Sequence, residues 1–298
     1  MKLKPAALLV FPLLFNGPLN GVGALIEIVP YDSNWPQMFE EEKATIQAAL
    51  GDNLIAIHHI GSTAVPGLAA KPKIDIIAIA KDRKGAISAL GKIGYQNKGE
   101  WNIPLKCGFT KRTGPEVNLH LFFDANHPEI ELNLRFRDHL RTHPDVRDEY
   151  AEIKRQILQD EASQQKTGKL SFPVYTIKKS VFIGKIIETI GFDRLRVLKC
   201  LTESEQDAVR RFRKDHFARL AISDPLDGDL DDESHEHFIL YRGTEIVGYA
   251  DIHILPENET EICMLVTPEN YPYFNNVISE WIEVHGYKCF KIYSMNPN

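Results

Sequence analysis

His58-His59-Ile60-Gly61-Ser62-Thr63-Ala64-Val65-Pro66-Gly67-Leu68-Ala69-Ala70-Lys71-Pro72-Lys73-Ile74-Asp75 is the densest chemical stretch of this 298-residue chain. It joins two short isoleucine-rich runs, Leu54 to Ile60 and Ile74 to Ala80. Apolar runs of this length bounded by turn residues read as buried strands. A strand that ends in Gly61-Ser62 presents backbone N–H groups and a hydroxyl to a phosphate, with Thr63 beside them. Lys71 adds positive charge. Asp75, on the next strand, is placed to hold the divalent cation that bridges such a phosphate. The competing expectation is a tight strand–loop corner whose Asp75 is satisfied by backbone donors.

Strand, Gly-Ser corner, spacer and acid resemble the polymerase-beta-type nucleotidyltransferases, and the 12 residues between Ser62 and Asp75 suit that layout. One departure matters. The second carboxylate, two residues after the first, is replaced by Ile77. Two-metal phosphoryl transfer wants several carboxylates around its cations. Asn118, His120 and Asp124, on a predicted strand Val117 to Phe123, are the nearby substitutes.

Further motifs extend the resemblance: Val29-Pro30-Tyr31-Asp32 with Trp35-Pro36, Ile60-Gly61-Ser62-Thr63 through Val65-Pro66-Gly67-Leu68, and Lys71-Pro72 with Asp75. His120 after Leu119, Arg135-Phe136-Arg137-Asp138 with Leu140-Arg141, Tyr150 with Lys154, and Tyr175 with Lys178 complete it. Over residues 26–192 the chain resembles the GrpB-like family, a group with the nucleotidyltransferase fold. The resemblance implies the fold far more than any reaction. Family members also occur fused to dephospho-CoA kinases, but no G-x-x-x-x-G-K-[ST] is present. Thr167-Gly168-Lys169-Leu170 lacks the first glycine and the final hydroxyl.

The basic cluster has its own reading. On a helix Arg137 and Arg141 share a face, as do Arg135 and His139. Two guanidiniums on one face can grip a phosphate or carboxylate. A salt-bridge ladder through Asp138 is the alternative. Lys154 and Lys178 are candidates to supplement an anion pocket.

Around these motifs the periodicity predicts helices from Asn34 to Leu50, Arg83 to Ile93, Leu134 to Arg141, Asp145 to Gln165 and Val174 to Ile190. After Gly191 the order changes to strand (Arg194 to Leu198), helix (from Thr202 to Leu220), three strands, helix (Tyr273 to His285) and strand (Cys289 to Tyr293). Thr202 and Glu205 form a capping box. That order resembles the GNAT acyltransferases, as do Arg196-Val197-Leu198, His237 to Gly243 and Ile246 to Ile252. The family's glycine-rich pyrophosphate loop corresponds here to Thr267-Pro268-Glu269-Asn270-Tyr271-Pro272-Tyr273-Phe274, which has no glycine and no basic residue. Two prolines remove donors and Glu269 repels a dianion, so acetyl-CoA binding is not expected. His235, Glu236 and His237 read as an exposed strand edge rather than a metal site.

Composition bounds the class. Hydrophobic residues make up 43% and charged residues 26%, as in a globular protein, and no apolar run is long enough to span a bilayer. The net charge of −6 is uneven. Up to Ile190 there are 24 basic and 21 acidic residues; from Gly191 onward, 11 and 20. Any polyanion-binding face therefore belongs to the first part, while the second should repel nucleic acid. Four scattered cysteines give no metal or redox spacing and fit a reducing, cytoplasmic setting. Against that, Lys2 and Lys4, the apolar Ala6 to Phe15 and Val22-Gly23-Ala24 resemble a short secretory signal, interrupted by Pro5 and Pro12.

The sequence thus predicts an α/β (α+β) protein: an arm over residues 1–24, a nucleotidyltransferase-fold domain over 25–191 with a mixed sheet, and a GNAT-like antiparallel domain over 192–298. Its expected ligand is a nucleotide or another phosphorylated small molecule, held by Gly61, Ser62, Thr63 and Lys71 with Arg135, Arg137, Arg141, Lys154 and Lys178. A catalytic site would use Asp75, Ser62 and His120, with Mg²⁺ on Asp75, in nucleotidyl transfer. The alternatives are a non-catalytic binding or interaction protein, and acyl transfer by the second domain.

Overall fold

The computed structural model describes residues 27–160, 166–167, 172–173, 175, 178–221, 223–224, 230 and 232–294. The N-terminal arm, the Gly168-Lys169-Leu170 segment and most of the acidic stretch after Asp224 lie outside them. The chain divides into two compact units. One runs to Trp101 and resumes from Lys106 to Ile190; the other takes Asn102–Leu105 and the chain from Gly191 onward.

The first unit is a five-stranded mixed sheet in the order β1-β2-β5-β4-β3. Its strands are β1 (Leu54–Ile60), β2 (Lys73–Ala80), β3 (Gln96–Asn97), β4 (Cys107–Lys111) and β5 (Glu116–Phe122). β2 pairs antiparallel with β1 and parallel with β5. Every residue of β2 is buried, because the strand is central and covered on both faces, which is why it reads as a continuous apolar run. Side chains alternate along a strand. Ile74, Ile76, Ala78 and Ala80 enter one core with Trp35, Phe39 and Ile46 of α1 (Trp35–Leu50) and Leu90 of α2 (Arg83–Lys92). Lys73, Asp75 and Ile77 therefore face the other way.

That second face belongs to the helices that follow, α3 (Pro128–Thr142), α4 (Pro144–Gln159) and α5 (Ser180–Thr189). α3 starts six residues earlier than its apolar pattern suggests, because Pro128 occupies its first turn and His127 Nδ1 accepts from Glu129 N–H at 3.2 Å. A buried aromatic stack ties α4 to α5: Tyr150 lies flat on Phe182 at 4.8 Å, and Phe136 of α3 meets Tyr150 edge-on at 6.0 Å. A two-stranded ribbon, β6 (Lys166–Thr167) with β7 (Phe172–Pro173), lies between α4 and α5 in sequence.

The second unit is a sheet in the order β12-β11-β10-β9-β8. It comprises β8 (Leu195–Lys199), α6 (Glu203–Leu220), β9 (His235–Arg242), β10 (Glu245–Ile254), β11 (Glu259–Val266), α7 (Tyr271–Val284) and β12 (Lys288–Ser294). The expected antiparallel pairing holds from β8 to β11, and β12 joins parallel to β11. Phe238, Leu240, Ala250, Ile252, Ile262 and Met264 pack against Phe274, Ile278 and Trp281 of α7. The capping box forms, with Thr202 Oγ1 accepting from Glu205 N–H while the Glu205 carboxylate accepts from Thr202 N–H. Among the described residues no helix is long and apolar enough to cross a membrane.

Candidate functional site

The connection between β1 and β2 folds into a corner whose geometry follows from one glycine. Gly61 has φ +71°, and a Cβ there would lie 2.6 Å from Asp75 Oδ2. Only glycine permits both that backbone and that approach. The register places Ile60 opposite Asp75, so the turn leaving β1 runs directly over the carboxylate. Ser62 to Ala64 then form one turn of 3-10 helix. Thr63 Oγ1 donates to the Lys73 carbonyl at 3.2 Å and accepts from His59 Nε2 at 3.1 Å. Burial and the neighbouring Arg141 and Arg137 push the His59 imidazole down to about 3, so it is neutral with its proton on Nε2.

Gly61, Ser62, Thr63, Lys71, Lys73, Asp75, Lys154, Tyr175 and Lys179 line a narrow cleft that opens to solvent. Four lysines thus surround Asp75, the one carboxylate among the described lining residues. Lys73, Lys154 and Lys179 are buried, at 4%, 2% and 4% exposure, and Lys71 is half-buried. Lys71 and Lys179 each lie 4.7 Å from the centre of the Tyr175 ring, so that one ring serves both. Lys154 Nζ donates to Ser62 Oγ at 3.2 Å and to the Ala69 carbonyl, and Lys73 pairs with Glu116 at 3.3 Å.

Asp75 is oriented from its far side. Asn118 Nδ2 donates to Asp75 Oδ1 at 2.9 Å, and Arg112 donates to Asn118 Oδ1 at 3.3 Å, which fixes the amide's orientation. Burial raises the Asp75 carboxyl above its ordinary range, opposed by the Asn118 hydrogen bond and the lysine charges. The lysines are displaced the opposite way. Burial, then the charge of Lys73, lowers Lys71 to about 7; burial, then Arg155 and Lys71, lowers Lys154 to about 7. Lys179 is driven well down by burial and by Lys71 and Lys154. Burial is the first cause in each case, and the positive charge of one lysine adds to the lowering of the next.

The arginines expected to grip an anion have other partners. Arg137 Nη1 donates to the His59 carbonyl at 2.9 Å and Arg141 Nε to the Ala64 carbonyl at 2.8 Å. Arg147 donates to the Pro66 carbonyl at 3.2 Å. With Lys154 on Ala69, cations from α3 and α4 hold the carbonyls of His59, Ala64, Pro66 and Ala69, at the end of β1 and along the corner. Asp138 pairs with both Arg137 and Arg141, so the salt-bridge ladder also forms. Arg135 donates to the Ile190 carbonyl and pairs with Glu131. Lys178 pairs with Asp160, and its neighbour Lys179 lines the cleft instead.

His120 lies outside the cleft lining. It is fully buried, with Nδ1 3.3 Å from Lys106 Nζ and the Trp101 ring edge-on at 5.1 Å. Burial and Lys106 hold its imidazole well below its ordinary value. Lys73 and Lys179 are lining residues that the sequence reading did not single out. Lys73 was detectable, since two residues before Asp75 on a strand means the same face. Lys179 is four residues beyond Tyr175, but helix phase alone does not separate it from Lys178.

Mg²⁺ does not fit this donor set. A cation there would meet one carboxylate among the described lining residues, with an oxygen already engaged by Asn118, among four lysines whose protonated forms repel it. Among the described residues no group of three His, Cys, Asp or Glu side chains is arranged to hold a metal.

In the second unit the loop after β11 is closed on itself. Asn270 and Tyr271 N–H both donate to the Thr267 carbonyl, at 3.1 and 3.0 Å, and Pro272 has no N–H. Asn270 Oδ1 accepts from Arg242 at 2.9 Å. His235 and His237 contact Asp251, each at 3.0 Å, and His237 is buried, so this is no exposed strand edge.

Sequence comparison finds relatives that match about half of this chain. UPF0157 protein YqkA of Bacillus subtilis is 38% identical over 136 residues, 44% of this chain and 39% of YqkA, so the chain covers well under two thirds of that relative. A UPF0157 protein of Halalkalibacterium halodurans is 36% identical over 154 residues, 50% of this chain and 77% of its own. The crystal structure of the conserved protein GrpB from Enterococcus faecalis covers 55% of this chain and 96% of its own at 29% identity, with a TM-score of 0.48. The family described as GrpB protein matches residues 25–189, more than half of the chain, and the chain belongs to that family.

Proposed function

We propose that the GrpB unit binds a phosphorylated small molecule in the Asp75 cleft, a nucleotide being the leading class. The observation that carries this reading is the charge imbalance: four lysines, three of them buried, line the cleft with one carboxylate among the described lining residues, Glu116 pairing with Lys73 from outside that lining. Burying an ammonium group costs several kcal/mol unless a counter-charge is supplied. A phosphate group supplies it, and the Ser62 hydroxyl lies within reach of the same space. Nucleotidyl transfer is not part of this reading, because among the described residues no group of acids is arranged to organise metal ions.

Differential scanning fluorimetry of the full chain with nucleoside mono-, di- and triphosphates, sugar phosphates and inorganic pyrophosphate tests it. Phosphorylated compounds should raise the melting temperature of the wild type and not that of Lys71→Met. A full panel without any shift would remove the reading.

The second unit is read as a GNAT-like module retained for binding or stability. Supporting this are the element order from β8 to β12 and the parallel addition of β12 after α7. Acetyl-CoA is not expected to bind, since Thr267 already takes the N–H groups of Asn270 and Tyr271 at the start of α7. Acetyl-CoA in the same panel is the check, and stabilisation by it would revive acyl transfer.

A further inference from the structure

We propose that the cleft binds its phosphoryl anion free of divalent metal, the ammonium groups of Lys71, Lys73, Lys154 and Lys179 taking the place of the metal ions. This rests on the reading above that the ligand is phosphorylated, and adds which form of it is bound.

Phosphate sites generally neutralise their ligand with metal ions, with cationic side chains, or with both. Metal ions require a cluster of hard oxygen donors. Among the described lining residues a single carboxylate is available, its Oδ1 accepts from Asn118 at 2.9 Å, and its Oδ2 lies against the Gly61 backbone. The lysines come from three separate places in the chain: the β1–β2 connection with the start of β2, the middle of α4, and the residue before α5. Such convergence does not arise from one helix face or one loop. Two of them share the Tyr175 ring, and Lys154 is fixed on Ser62 Oγ, so the ammonium groups are pre-positioned. Asp75 then spaces the lysines and does not ligate a cation.

Two consequences separate this from a metal-dependent site. A metal-complexed polyphosphate carries less negative charge and brings a cation among the lysines, so Mg²⁺ should compete with the protein for the ligand. Replacing Asp75 by Asn removes the one carboxylate among the described lining residues and should tighten binding, whereas a metal site would lose its ligand.

The test is isothermal titration calorimetry of the full chain with inorganic pyrophosphate, in EDTA and in excess MgCl₂. Expected are binding in EDTA, a dissociation constant about tenfold weaker in excess Mg²⁺, and tighter binding by Asp75→Asn in EDTA. Lys179→Gln should weaken binding about tenfold in EDTA, and thermal melts establish that both variants fold. If Asp75→Asn does not fold, the EDTA and MgCl₂ titrations of the wild type decide alone. Binding only when Mg²⁺ is present, or abolished in folded Asp75→Asn, overturns the inference while leaving the phosphorylated-ligand reading intact. No binding of pyrophosphate or of any phosphorylated compound under either condition overturns both.

Discussion

The two units bury charge in opposite ways. In the second, several basic and acidic side chains pair with one another: Arg213 Nε meets Asp224 at 2.8 Å, His235 and His237 share Asp251, and Lys199 pairs with Glu236 at 3.0 Å. In the first, three buried lysines and a half-buried fourth line a cleft with one carboxylate among the described lining residues. Internal balance serves the fold itself, whereas an unbalanced cluster is a cost to the free protein that a bound anion offsets. The difference predicts opposite responses to similar substitutions.

The largest effect is expected at the corner itself. Gly61→Ala should cost the first unit about 3 kcal/mol, since it adds left-handed strain and a Cβ against Asp75 Oδ2. Trp35 and Trp101 lie in that unit and Trp281 in the other, so single-tryptophan variants report each unfolding transition. A loss below about 1 kcal/mol would mean that the corner relaxes freely.

Next, Arg213→Met should destabilise the second unit by about 2 kcal/mol, because it leaves Asp224 without its guanidinium partner. An unchanged urea midpoint would break the comparison from that side.

The stability of the first unit should rise with pH above neutrality. Lys154 has a folded value of about 7 against an ordinary 10.5. Between those limits the unfolded chain holds a proton that the folded one has released. Stability therefore climbs with pH, by at most about 1.4 kcal/mol per pH unit for this lysine. Below pH 7 both states are protonated and the contribution is constant and least favourable. A flat urea midpoint from pH 7 to 9 would show that the lysines are not suppressed.

Lys71→Met should stabilise the free protein by about 1 kcal/mol at pH 7, by removing the cost of burying its charge and then its repulsion from Lys73, and should remove pyrophosphate binding. Gain of stability with loss of binding in one variant is the sharpest form of the contrast with Arg213. Smallest is Arg141→Gln, which removes a guanidinium hydrogen bond to the Ala64 carbonyl and should cost about 0.5–1 kcal/mol, with a modest rise in dissociation constant as the corner loosens.

Much of the architecture was legible because its signals are local. α1 is entered from Asn34 with Pro36 in its first turn and ends at Leu50; β2 was visible as Ile74 to Ala80 and begins one residue earlier; the capping box at Thr202 forms as its spacing requires. β3 and β4 were missed, since Gln96–Asn97 is too short for a period and Cys107–Lys111 carries no alternation of apolar and polar side chains. Among the candidate site residues, Gly61, Ser62, Thr63, Lys71, Asp75 and Lys154 come together. Arg135, Arg137, Arg141, Lys178 and His120 do not join them. The arginines misled for a physical reason: a guanidinium that can hold a phosphate can equally hold carbonyls, and the end of β1 and the corner together offer four that need donors.

Gly61, Asp75 and the spacing between them are properties of the chain order, and with the flanking isoleucine runs they determine a strand–corner–strand unit with an acid beside the turn. Where the remaining cations point is a different matter. Lys154 and Lys179 lie 79 and 104 positions beyond Asp75 in the chain, and their convergence on it depends on how α4 and the start of α5 pack on the sheet. Charge complementarity is a through-space quantity, so the balanced cluster of one unit and the unbalanced cluster of the other become distinguishable only when the partners of every buried charge are known.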